Sequence, residues 1–269
     1  MACRLHSAPA RISGFALGAL LVLGTAHTGA GGVPAGAELS TPATNLLSVV
    51  SERYAAITNL SCAVRRQISG GDEELVSRIV FARGGRLNAE KLAPERSRTI
   101  VDGEYAWTKG EKDKKPRRVA FDDQSPAQKA SVLCVPASPE ETLGSLDPAS
   151  GVDIAEPAEP HVRQVVFRHC GAARDSQGRA LVSLDGAGRV RAIDIFADAN
   201  LRWRIASYTW DMPSEVLPGV WLFGRSATET AVNGTPVLLT THFDNLRANQ
   251  ELDPDIFSAD KTFGPKARR

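Results

Sequence analysis

Apolar residues recur at helical spacing just after Thr41, where Leu46, Leu47, Val50, Tyr54 and Ile57 share one face. Thr41-Pro42 ahead of them reads as an N-cap followed by proline at the first helical position, where a missing N–H costs nothing. From Leu60 the period drops to two, with Leu60, Cys62, Val64 and Ile68 on one side of a strand. Alternating segments continue near 74–83, 86–92, 97–102, 104–109 and 117–122, with Asp102-Gly103 as a tight turn. The rhythm breaks over the proline-rich stretch 123–160, where Gln124–Leu133 and Ser138–Leu146 each have room for a short helix. Strands resume near 162–170, 180–185, 189–197 and 202–211, with Gly186-Ala187-Gly188 as a further turn. Two long strands, near 219–231 and 235–246, flank Asn233-Gly234, a strong local hairpin signal.

Hairpin order throughout predicts a mainly β (α+β) fold over residues 41–258. Its form is one strongly curved antiparallel sheet, an unclosed β-barrel, covered by the N-terminal helix and the short lid helices of the insertion. Residues 259–269 read as a basic frayed tail. The predicted strands carry more aromatic surface than one short helix covers, since each such side chain buries roughly 150–250 Å². Such a sheet closes on itself or holds an apolar guest. Phe81, Leu87, Trp107, Phe121, Phe167, Trp203, Trp210, Trp221 and Phe223 are therefore the candidate lining of an apolar cavity.

Charge and compartment narrow the picture. Arg4 and Arg11, the uncharged run from Ile12 to Leu23 and the small residues after it follow the plan of a secretory signal peptide over 1–30. Cleavage fits after Ala26, Ala30 or Ala37, and a soluble exported protein, periplasmic in a bacterium with two membranes, is the expectation. Residues 1–30 hold two arginines and no acid, so 32 basic and 31 acidic residues stay nearly balanced without them. That balance gives no reason to expect nucleic acid. The Lys112–Arg118 run is a local exception, read as a solvated hairpin tip or as a patch for anionic groups. Beyond the leader lie Cys62, Cys134 and Cys170, an odd count that allows one disulfide, expected as Cys134–Cys170 tying the insertion to the sheet.

Chemistry is sparse. His169 adjoins Cys170, but strand neighbours point to opposite faces, so the two do not form a nucleophile and base. His161 and His242 stand alone. No phosphate-cradling glycine loop, nucleophile-elbow serine or spaced metal-ligand set occurs in the sequence. A binding protein without enzyme activity, metal or cofactor is the expectation.

Several strings resemble the periplasmic lipoprotein carrier family, LolA-like proteins with LolB and sigma-factor-regulator relatives. They are Ile57-Thr58-Asn59-Leu60-Ser61, Phe81-Ala82-Arg83-Gly84-Gly85-Arg86-Leu87, Pro94-Glu95, and Val101-Asp102-Gly103 with Trp107. Phe243-Asp244-Asn245-Leu246-Arg247-Ala248-Asn249, Leu252-Asp253-Pro254 and Ile256-Phe257 complete the set. The resemblance implies a monomeric carrier whose cavity takes the acyl chains of a lipoprotein or lipid toward the outer membrane. An inner-membrane release complex and an outer-membrane acceptor are its implied partners. It also implies that Arg83 is the latch of a helical lid. Arg83 stands two residues after Phe81, on the face where apolar side chains point, and so needs acceptors there. The alternative function is a lipoprotein-sensing regulatory module. Regulator relatives carry a further C-terminal domain, whereas this sequence ends soon after Phe257, which favours the carrier.

Overall fold

Two sequential runs of antiparallel strands meet in the middle of one sheet. The computed structural model describes residues 39–42, 46–154, 156–169, 178–232 and 234–265. The expected leader and Cys170 lie outside them. The first run is β2 (Asn59–Ile68), β3 (Glu74–Ala82), β4 (Arg86–Ala93), β5 (Ser97–Asp102), β6 (Tyr105–Gly110) and β7 (Arg117–Ala120). The second is β8 (Val152–Ile154), β9 (Arg163–Arg168), β10 (Arg179–Leu184), β11 (Val190–Phe196), β12 (Arg204–Leu217), β13 (Val220–Val232) and β14 (Thr235–Ala248). Pairing of β14 with β2 joins the runs, and β1 (Leu39–Pro42) adds to β8. The order β1-β8-β9-β10-β11-β12-β13-β14-β2-β3-β4-β5-β6-β7 leaves the sheet unclosed, with β1 and β7 as its margins.

Turn chemistry sets the hairpins. Gly84 and Gly85 between β3 and β4 have φ of +83° and +74°, where a Cβ is strained whatever space surrounds it. Gly103, Gly188 and Gly234 occupy the same half of backbone space at the other three expected turns. Thr41-Pro42 is not a helix cap: it belongs to β1, and α1 runs Leu46–Ala55. Pairing with β8 claims that segment before the helical periodicity begins. The alternating pattern also understated β12, which continues to Leu217 through a left-handed residue, Met212, at φ 55°.

The insertion forms α2 (Pro126–Leu133) and α3 (Glu140–Leu143). Ser125 and Gln128 make a reciprocal capping box on α2, with proline at the start of the helix. One face of the sheet packs against α1, α2 and α3 in a single cluster: Val50, Tyr54 and Ile57 meet Leu60, Phe81 and Leu87, and Val132, Val135, Leu143 and Leu146 join them. A separate cluster holds Ile100, Trp107 and Ala259, with Tyr105 and Phe263 against it. It is closed by α4 (Ala259–Phe263), so the tail opens as a docked helix rather than a frayed end. Ser258 caps that helix, and Ala259 is fully buried. No helix among the described residues is long and apolar enough to cross a membrane.

At the margin, β7 pairs with β6 alone. Arg117, Arg118 and Val119 are exposed there, and the Arg118 guanidinium lies 4.6 Å from the centre of the Tyr105 ring.

The end of α1 is fastened to the end of β14 by Asn249. Its Oδ1 accepts from the Thr58 N–H at 2.8 Å, and its Nδ2 donates to the Ala56 carbonyl at 2.9 Å. Its backbone is left-handed, at φ 52°. Asn249→Ala removes both bonds and places a less tolerant residue at positive φ, so urea unfolding is expected to show a loss of about 1–3 kcal/mol. Asn249→Gly, free of the strain, is expected to lose less.

Candidate functional site

Arg83 stands in the β3–β4 turn where all three lid helices converge. Its Nη2 donates to the Tyr54 carbonyl at 2.7 Å and its Nε to the Ile57 carbonyl at 3.1 Å, both at the end of α1. Nη1 reaches the carbonyl of Leu133, the last residue of α2, at 3.3 Å. Nη2 also lies 3.0 Å from Glu140 Oε1 at the start of α3, while Glu140 Oε2 accepts from the Val135 N–H at 2.6 Å. Helix C-terminal carbonyls lack partners inside their own helix, and a planar guanidinium fork meets several at once. Beneath it, the Phe81 ring centre is 5.9 Å from the guanidinium carbon.

Burial keeps the phenol and the two thiols of this region in their neutral forms. Burial, and then the Glu140 charge, pushes the Tyr54 phenol above its usual range, and its hydroxyl donates to the Trp221 carbonyl at 3.0 Å. The Cys134 thiol is pushed up to about 12 by burial and by Glu140 and Glu141, against the opposing pull of Arg83. Burial likewise pushes Cys62, on the inner face of β2, up to about 12. Cys134 is bonded to no other sulfur among the described residues, and Cys170 lies outside them.

The nine candidate cavity residues divide. Phe81, Leu87, Phe167, Trp210 and Phe223 belong to the cluster between sheet and lid, and Phe121 packs against it. Tyr208 stacks on Trp210 with ring centres 6.4 Å apart, and the Phe223 N–H donates to the Ala137 carbonyl of the insertion. Trp107 is a correction. It is 1% exposed, but in the separate cluster under α4, because β6 turns Ala106 toward the lid and Trp107 the other way. Trp203 is a second: it precedes β12 and is 54% exposed. Trp221 is a third. It lies at the rim, its ring 4.7 Å from the Arg189 guanidinium, in a small concavity shared with Val50, Tyr54 and Val190.

Two charged residues on this face escaped the sequence reading. Glu140, which holds Arg83, sat in a stretch without periodicity and gave no signal. Arg66 did give one: it continues the buried stripe of Leu60, Cys62 and Val64 on β2. Its Nε is shut off from solvent and has no hydrogen-bond partner among the described residues.

No family model matches the sequence, and no curated protein matches it. Solved structures do resemble it. A LolA superfamily protein from Nitrosomonas europaea superposes with a TM-score of 0.50 at 10% identity, over 82% of this chain and 100% of that one. A DUF1329 family protein from Desulfovibrio piger gives a TM-score of 0.51 at 10% identity, over 82% of this chain and 99% of that one. At this identity the shared property is the fold, and the fold of this chain is LolA-like.

Proposed function

We propose that this protein is a carrier that takes acyl chains, of a lipoprotein or a lipid, between the curved sheet and its lid and conveys them through water. The observation that carries the reading is Arg83, one side chain fastening the ends of α1 and α2 and the start of α3 to the rim of the sheet. A side chain so placed tunes how readily the lid leaves the sheet. The LolA-like fold supports the same reading, as do the leader-like first thirty residues, which favour a periplasmic setting.

Magnitudes decide how such a lid works. Val132, Val135, Leu143 and Leu146 of the lid are almost fully buried against the sheet. Each is worth about 1.5–3 kcal/mol, so lifting the lid into water costs on the order of 5–10 kcal/mol. Hydrogen bonds from a charged donor net roughly 1.5–3 kcal/mol each at best, and less for this part-exposed group. Apolar packing therefore holds the lid down, and Arg83 adjusts the balance. Acyl chains offer about 0.8 kcal/mol per buried CH₂, enough to offset the burial that the lid gives up when it lifts. Phe81, Leu87, Phe121, Phe167, Trp210 and Phe223 are the surface on which they would lie.

Cargo competes with the closed, empty form, so weakening that form strengthens cargo binding. Arg83→Leu is expected to raise affinity for an acylated peptide about tenfold or more, and to slow its transfer to acceptor liposomes in proportion. Arg83→Lys is expected to fall close to the leucine variant, because a single ammonium does not span the carbonyls. Unchanged affinity and transfer in the leucine variant, at wild-type stability, would sink the latch.

Cys62 offers an independent gauge of opening. With its pKa near 12 and its thiol under the lid, alkylation at pH 8 is expected to be slow in the native protein and fast in denaturant. Native-state labelling of Cys62, followed by peptide mass, is expected to accelerate in Arg83→Leu. Equal rates in both proteins would separate Arg83 from lid motion.

A further inference from the structure

Arg66 lies where the inner face of β2 should carry an aliphatic side chain. Its register neighbours are Leu75 on β3 and Thr241 on β14, and Thr241 pairs in turn with Ser226 on β13. The inner surface thus changes from aliphatic near Leu60 to hydroxyl-bearing near Arg66. Among the described residues no hydrogen bond or ion pair holds the guanidinium, and its Nε is inaccessible to solvent. Arg83 shows the contrast, with three carbonyls and a carboxylate around it. An arginine that served the fold alone would be tied down in that way. A leucine would extend the Leu60-Cys62-Val64 stripe at no desolvation cost.

One opposite charge near Arg66 belongs to the insertion. Burial lowers the Arg66 pKa, and the Glu141 carboxylate on α3 opposes that shift. Burial in turn raises Glu141, against the pull of Arg66. Glu140 and Glu141 are consecutive on α3, one engaging Arg83 and the other, exposed to solvent, biasing the Arg66 charge.

We propose that Arg66 is a head-group site, taking the carboxylate or phosphate of a single amphiphile whose acyl chain lies along the inner face. The inference rests on the carrier reading and narrows its cargo to anionic amphiphiles. A guanidinium fork matches either anion through two parallel N–H···O bonds, which are strongest out of water. From Arg66 to Leu60 the strand advances about 20 Å, at roughly 3.3 Å per residue, the reach of a long acyl chain. The head sits among Arg66, Thr241 and Ser226, and the chain passes Val64 and Cys62 toward Leu60.

The test uses the full chain loaded with diphenylhexatriene, a neutral fluorescent probe. Three competitors share one chain and differ in the head: hexadecanol, palmitate and hexadecyl phosphate, each below its aggregation threshold. In wild type at least one anion is expected to displace the probe at about tenfold lower concentration than hexadecanol, as a bidentate charge-assisted pair requires. The stronger anion identifies the source as fatty acid or phospholipid. Arg66→Gln is expected to bring the three competitors level, and Arg66→Lys to keep part of the preference. Glu141→Gln is expected to widen it, which a purely structural arginine would not cause. Thermal melts run alongside, with Arg66→Gln expected to unfold no lower than wild type; should it fail to fold, Arg66→Lys and Glu141→Gln decide. Equal displacement by all three competitors in wild type overturns the head-group site and leaves the carrier standing. Failure of the probe and of every competitor to bind overturns both.

Discussion

An unclosed sheet has two margins, and this chain must travel from one to the other. The first run of strands ends at β7, on one margin, and the next strand, β8, lies beside the opposite one. Residues 121–151 make that journey, and the packing of Val132, Val135 and Leu143 on the sheet puts their route across its concave face. The cover is thus a consequence of connectivity. Proline and the capping box at Ser125 break the crossing into short helices, so it lies on the sheet as jointed pieces whose exposed ends need partners.

Arg83 answers that need at the one place where the pieces meet. It sits in a turn that tolerates no ordinary side chain at its next two positions, Gly84 and Gly85, so the guanidinium is presented from a rigid corner. Its acceptors are the carbonyls of Tyr54, Ile57 and Leu133, at or just past the ends of α1 and α2, and the Glu140 carboxylate. The fastening is polar and partly wet, whereas the holding force is apolar and dry. A cover built in this way changes state when another apolar surface arrives, and the polar corner sets how readily.

How much of this was legible follows from what leaves a local trace. Strand phase did: Leu60, Cys62 and Val64 alternate, and the structure buries each of them on one face. Glycine-marked turns did too, since positive φ is written in residue type. Short helices were expected within 124–133 and 138–146, and α2 and α3 lie there. What failed was long-range. Trp107 and Ala106 are adjacent, and nothing local says which of them faces the lid; only the docking of α4 on Ile100 decides it. Trp203 sits just outside β12, where strand phase no longer applies. Thr41-Pro42 carries good cap chemistry, but pairing with β8 overrides it. Arg66 was visible as a charge in an apolar phase, and it was masked because Ile68 resumes the pattern two residues later.

The free margin at β7 has a bearing on how these molecules treat one another. Exposed strand edges template the addition of further strands, and a protein with a long unclosed sheet is a candidate for end-to-end stacking. Here the last strand is four residues long and bears Arg117 and Arg118, with Lys112, Lys114 and Lys115 in the loop before it. A second copy approaching in register would set its own cations against these. The fringe of like charge keeps neighbouring copies apart at this border, one of the two where the backbone invites them to join.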